Sequence, residues 1–160
     1  MTMRKAATIR LADRRDIAPI VRWSGSASPI ALADPLTESA LRDDLADADT
    51  NVLLVLDRDG IAALGVMHYG VEEASLVRLD VGRRTHSLER EVGACVALLR
   101  WYERSAVVAG IGVISLVVAA GNQPAHGLLL AHGYRDFIAI GSDGQPQATE
   151  VRFSRDLLTA

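Results

Sequence analysis

The sequence predicts an α/β domain: a single mixed, mostly antiparallel sheet flanked by helices. Three observations predict it. Short apolar runs of strand length recur, and two of them are separated only by Arg58-Asp59-Gly60. A long segment carries Leu88, Val92, Cys95, Leu99, Tyr102 and Ala106 at steps of three and four, the period of a helix packed on one face. The elements also follow one order: strand, two helices, three strands, helix, strand, helix, two strands. A length of 160 residues suits one core, so residues 1–160 are read as one domain.

The elements follow in turn. Ala7 to Leu11 alternates as a first strand, and Asp13 then offers an N-cap to a helix with Ile17, Ile20 and Val21 on one face. Ser24-Gly25-Ser26-Ala27-Ser28-Pro29 breaks that helix. A second helix is expected from about Pro35 to Ala48, capped by Thr37, with Leu36, Ala40, Leu41 and Leu45 as its apolar stripe. Asn51–Leu56 and Ile61–Met67 form a hairpin across the Asp-Gly turn, because such a pair between apolar runs suits a tight reversal. Ala74–Val81 is the third strand of this group. The long helix should stop at Gly110, and Gly112–Val118 is the next strand. Pro124 suits the first turn of a short helix holding Leu128, Leu129 and Leu130. Tyr134–Ile140 and Ala148–Phe153 close the sheet as an antiparallel pair across Ser142-Asp143-Gly144-Gln145.

Composition narrows the function. Hydrophobic content of 49% excludes disorder, and no apolar run is long and uncharged enough to span a membrane. The first ten residues lack a continuous apolar stretch, so no secretory leader is expected. Cys95 is the only cysteine, so no intrachain disulfide forms, and a reducing cytoplasm is the natural compartment. Net charge of −3 with both signs interspersed argues against nucleic acid as the main partner. Arg83, Arg84 and Arg90 are a local basic cluster, fit either for one polyanionic small ligand or for a solvated loop. His68, His86, His126 and His132 have no metal-ligand spacing, and no cysteine cluster supports a metal.

The most specific stretch runs from Arg90 to Tyr134. Arg90-Glu91-Val92-Gly93-Ala94-Cys95 stands at a helix start, Asn122 lies just past the following strand, and Asn122-Gln123-Pro124-Ala125 and Gly133-Tyr134 follow. This layout resembles the GNAT superfamily of acyl-CoA-dependent N-acyltransferases, and the element order of nearly the whole chain is GNAT-like. In that family an Arg/Gln-x-x-Gly-x-Gly/Ala turn holds the cofactor pyrophosphate, and an Asn after the next strand lies beside the pantetheine.

The resemblance implies acetyl-CoA as acyl donor and the primary amine of a small molecule or peptide as acceptor, with transfer by direct attack in a ternary complex. It implies cofactor contacts from Arg84, Arg90, Gly93, Ala94, Cys95 and Asn122, with His86 nearby. Free backbone groups of Leu79 and Val81 would pair with the pantetheine as with a neighbouring strand, in a gap between Ala74–Val81 and Gly112–Val118 that normally starts at a bulge. The Val81 N–H would polarise the thioester carbonyl.

Several points stay open on the residues alone. The helix begins at the Arg90 turn after an enlarged 82–89 loop, or earlier, with Ser87 as its cap. Cys95 sits on the apolar stripe and reads as a small hydrophobe rather than a nucleophile. Asn122 suits a helix cap as well as a cofactor contact. Leu129 stands where many relatives carry a Tyr that protonates the leaving thiolate, so water, Tyr102 or Tyr134 must serve. Glu73, two residues before the Ser75 that replaces the family's Glu, is the candidate general base, or else a solvated turn carboxylate. Asp80 projects to the other face. Trp23 and Pro29, between the first two helices, either wall an acceptor pocket or cap the core. The rival function is a non-catalytic domain that binds coenzyme A or acts as a regulatory or dimerisation module; the partners expected are therefore an amine acceptor and a homodimer mate.

Overall fold

In a computed structural model, which describes residues 7–82, 88–140 and 146–159, eight strands form one sheet. In chain order they are β1 (Thr8–Leu11), β2 (Ala27–Pro29), β3 (Thr50–Asp57), β4 (Gly60–Tyr69), β5 (Glu73–Gly82), β6 (Val113–Ala119), β7 (Arg135–Ile140) and β8 (Pro146–Asp156). The helices are α1 (Ile17–Ser24), α2 (Glu38–Ala46), α3 (Leu88–Val108) and α4 (Gln123–Ala131). Spatial order is β1-β3-β4-β5-β6-β8-β7, with β2 attached to β5 alone. Only β5 and β6 run parallel; the other pairs are antiparallel. The mixed, mostly antiparallel sheet expected from the apolar runs is the one observed.

Local chemistry sets the helix limits. Asp13 accepts from the Arg15 N–H at 2.8 Å and Asp16 from the Asp13 N–H at 2.8 Å, a reciprocal cap on the 3-10 turn that leads into α1. Thr37 accepts from the Ala40 N–H at 3.1 Å and starts α2 three residues later than Pro35. Gly110, with φ of +79°, ends α3: Ile111 N–H reaches the Ala106 carbonyl at 2.9 Å and Gly110 N–H the Val107 carbonyl at 3.0 Å. Those two bonds satisfy carbonyls the helix leaves open, and the left-handed residue they need is cheapest as glycine.

Two apolar clusters hold the sheet between layers. Cys95, Leu98, Leu99, Tyr102 and Ala106 of α3, with Ala125 and Leu129 of α4, pack with Leu53, Ala63, Met67, Leu79 and Val81 of the sheet. Ile17, Ile20 and Leu41 from α1 and α2 cover Val52, Leu54, Leu64 and Val66. Alternation along β4 and β5 divides the two sets. Val92, expected on the core stripe, is exposed, and so is Leu130 of the short helix. Val92 lies about 60° around α3 from the centre of its buried stripe, and three consecutive leucines cannot all face one side of a helix.

One element departs from the expected break after α1. Ala27–Pro29 forms a strand, with Ala27 opposite Gly82, Ser28 opposite Val81 and Pro29 opposite Asp80. Three residues are too few to show an alternation, so nothing in their pattern announces a strand.

Candidate functional site

β5 changes neighbours halfway along its length. Glu73, Ala74 and Ser75 pair with Val113, Ile114 and Ser115 of β6, and the pairing then stops. On the other edge Val66 opposes Arg78 while Met67 opposes Leu76, which leaves Val77 as an extra residue in β5. A bulge of this kind bends its strand and increases the twist. Beyond it the second half of β5 diverges from β6, and a splay opens between Leu79–Gly82 and Leu116–Ala119.

The chain's own residues 27–32 fill that splay. After the β2 pairing, the Leu79 carbonyl accepts from the Ile30 N–H at 2.7 Å and the Ala31 N–H at 3.3 Å. Leu32 then crosses to the other wall, where its N–H reaches the Val117 carbonyl at 2.7 Å. Asn122 closes the arrangement: its Oδ1 caps α4 by accepting from the Ala125 N–H at 3.4 Å, and its Nδ2 donates to the Pro29 carbonyl at 3.1 Å. Trp23 packs against the α1–α2 core, with its Nε1 3.2 Å from where a Cβ on Gly82 would stand. The backbone of Leu79 and Val81, expected to be free for a ligand, is therefore engaged by strand pairing. The bulge releases the β5 edge from β6, and the nearest extended segment takes it.

The two carboxylates of β5 have different surroundings. Glu73 accepts from the Ser115 hydroxyl and from the Arg152 guanidinium. Burial pushes its carboxyl up, but these two partners outweigh burial and hold it below the usual carboxylate range. Eight residues separate it from Val81, about 26 Å at strand rise. The expected pairing of Glu73 as base with Val81 as carbonyl donor is not brought together here. An ion-paired carboxylate that far away serves the β5–β6 junction instead.

Asp80 is buried on the face that carries α1 and α2, beside Leu64 and Pro29 in register. Arg78 pairs with its Oδ2 at 3.0 Å and also donates to the Asp34 carbonyl. Oδ1 has no hydrogen-bond partner among the described residues. Burial pushes the Asp80 carboxyl up, against the pull of Arg78. Sequence reasoning ranked Asp80 below Glu73. The available signal was opposite charges two residues apart in an apolar strand, which places both on one buried face.

The helix start resolves one open alternative. α3 begins at Leu88, so Gly93, Ala94 and Cys95 lie in its second turn, where each backbone N–H is directed to the carbonyl four residues earlier. They are not the open donors the resemblance implied; within the described helix those are the N–H groups of residues 88–90. Gly93 is exposed, with nothing within 4 Å of a Cβ placed on it. Ala94 is buried, and burial pushes the Cys95 thiol up to about 12, as expected of a packing residue. Arg83, Arg84, His86 and Ser87 lie outside the described residues, as do the side chain of Arg90 and the Ser142–Gln145 turn.

Neither tyrosine faces the splay as a proton source. Tyr102 donates to the Asn51 carbonyl at 3.0 Å, and burial raises its pKa well above the usual range. Tyr134 donates to Glu103 at 2.9 Å; burial, then the Glu103 charge, pushes it up as well. Leu129 is fully buried core. No group of three or more metal-ligating side chains occurs among the described residues.

No protein-family model matches the chain, and no curated protein matches it by sequence. Solved structures do match in shape. The ribosomal-protein-S18-alanine N-acetyltransferase from Escherichia coli superposes with a TM-score of 0.75 at 17% identity, over 95% of this chain and 94% of that one. An aminoglycoside 6'-acetyltransferase type Ii gives 0.68 at 13% identity, over 94% and 97%. A GNAT family acetyltransferase from Elizabethkingia anophelis, solved with acetyl-CoA bound, gives 0.66 at 14% identity, over 95% and 99%. The chain therefore shares its fold with these acetyltransferases, and that fold is the one of the GNAT family.

Proposed function

We propose that the chain is a GNAT-type N-acetyltransferase that moves the acetyl group of acetyl-CoA to the primary amine of a small molecule or peptide in the cytoplasm. The observation that carries this reading is the splay opened at Val77, with the Asn122 amide directed into it. The donor and acceptor set suits an extended, amide-bearing chain, because residues 27–32 satisfy it with such a chain. A pantetheine arm has the same character.

Acetyl-CoA supplies a thioester whose C–S bond breaks as the amine nitrogen bonds to the acetyl carbon, releasing the thiol. Leu79 and Val81 would hold the arm by their backbone groups, and the Val81 N–H would polarise the carbonyl. Asn122 would pair with an amide of the arm. Open N–H groups at residues 88–90 would attract phosphate oxygens, with Gly93 leaving room one turn on and Arg84 and Arg90 adding charge. Asp80, on the α1–α2 face beside Val81, takes the role of proton acceptor for the amine that was expected of Glu73. The thiolate takes its proton from water, since a thiol with an ordinary pKa of about 8.5 is a tolerable leaving group.

A specific observation favours a second reading: Leu129 lies in the core and both buried tyrosines are engaged, so none of these three residues is placed to protonate the thiolate. That suits a non-catalytic domain that binds coenzyme A or mediates regulation or dimerisation. Thermal denaturation with acetyl-CoA, followed by thiol release across an amine panel, separates the two. Binding at a hundredfold excess over Kd raises stability by about 2.7 kcal/mol. Binding with thiol release supports the enzyme, binding alone supports the module, and no binding removes both.

A further inference from the structure

The segment that fills the splay uses the same groups that the proposed acyl donor needs. The Leu79 carbonyl is taken by the Ile30 and Ala31 amides, the β5 edge at Val81 by Ser28, and the Asn122 amide by the Pro29 carbonyl. Leu32 ties the opposite wall at Val117, so the segment bridges both sides of the gap. Two extended chains cannot pair with one strand edge at once, because each residue offers one N–H and one C=O there. Its anchoring is uneven. Ala31 is buried in the larger core cluster and Ile30 packs against it, whereas Leu32 and Pro29 are exposed. Gly25 and Ser26 connect it to α1, and five residues separate Leu32 from the first residue of α2.

We propose that residues 27–32 are a built-in strap that occupies the acyl-donor channel as a stand-in strand, and that acetyl-CoA enters only when the strap withdraws. This rests on the function proposed above. The strap sets a closed resting state, and the apparent Kd for acetyl-CoA equals the intrinsic Kd divided by the fraction of molecules with the strap out. Withdrawal also removes Pro29 from beside Asp80, so the same movement opens the α1–α2 face to the amine.

Amide hydrogen exchange on the full chain, with and without saturating acetyl-CoA, tests the strap directly. The expected result is at least about tenfold faster exchange at Ile30, Ala31 and Leu32 when acetyl-CoA is bound, since the donor takes the Leu79 carbonyl and the withdrawn strap also leaves Val117. Two variants support the reading. Leu32→Pro deletes the donor to Val117 at an exposed position, and Ile30→Pro deletes the donor to Leu79. Either variant, if its circular dichroism is unchanged, is expected to bind acetyl-CoA about tenfold more tightly, as a larger open fraction requires. If acetyl-CoA binds the wild-type chain while the three amides stay protected, the strap is refuted and the proposed function survives. Folded variants that bind no tighter than wild type refute it too. If wild type and folded variants alike fail to bind acetyl-CoA, the proposed function fails and the strap falls with it.

Discussion

Glu73 and Asp80 share a strand, and their neighbours drive their protonation in opposite directions. For Glu73 the folded pKa lies below the unfolded one, so the folded state binds fewer protons between the two values. Its contribution to stability is present above the unfolded pKa of about 4.3 and is lost as pH falls through the folded value. Glu73→Gln should therefore lower stability most at neutral pH, and the gap to wild type should narrow on acidification; denaturant melts across pH measure it. The same variant should leave acetyl transfer within about twofold of wild type, since Glu73 is too far from Val81 to act there. Asp80 has the opposite sign: the stability it contributes is present below its unfolded pKa and is lost as pH rises through its raised folded value. Asp80→Asn should reduce transfer by about 10²–10⁴-fold with acetyl-CoA affinity little changed, the cost of losing a positioned base. Tyr102→Phe leaves the Asn51 carbonyl without its donor and should cost about 1–3 kcal/mol of stability. Its pH–rate profile should match wild type, because Tyr102 faces β3 rather than the splay.

At the scale of elements, close packing of α3 on the sheet fixes where β5 can run. A Cβ on Gly65 would stand 2.6 Å from Tyr102 Cε2, so this glycine lets the helix ring approach β4 directly opposite Leu79. Gly65→Ala should destabilise the chain by about 1–3 kcal/mol through overpacking, read as a lower denaturant midpoint with an unchanged slope. Elements of this kind were legible from the residues. Asp13, Thr37, Gly110 and Pro124 carry local chemistry that states where helices start and stop, and the Asp-Gly turn states a hairpin. The bulge at Val77 was not legible, since an extra residue shows only when two strands are laid side by side. The Ala27–Pro29 strand was not legible for a related reason: its pairing depends on the edge that this bulge releases. The start of α3 was left between two positions, and Leu88 is the earlier of them.

For the whole molecule, apolar periodicity and element order were enough to give the layered sheet, because burial on two faces leaves few other arrangements. The site was less legible. Asn122 could be placed at the mouth of the splay from its position after β6, but its partner, the Pro29 carbonyl, lies 93 residues away in sequence. Glu73 was preferred, and Asp80 set on the other face, by strand parity. The extra residue Val77 resets the alternation and puts both on one face, and parity says nothing of the ion pair that engages Glu73. These differences leave one claim at the centre: the gap between Leu79–Gly82 and β6 is a seat for an extended thioester cofactor. The most direct measurement is a titration of acetyl-CoA followed by the amide resonances of Leu79 and Val81 and the side-chain amide of Asn122. The account predicts saturable shifts at these three positions, larger than those at the Glu73–Ser115 junction. Resonances that stay in place up to millimolar acetyl-CoA would contradict it, because such a ligand would be bound more weakly than about −4 kcal/mol allows.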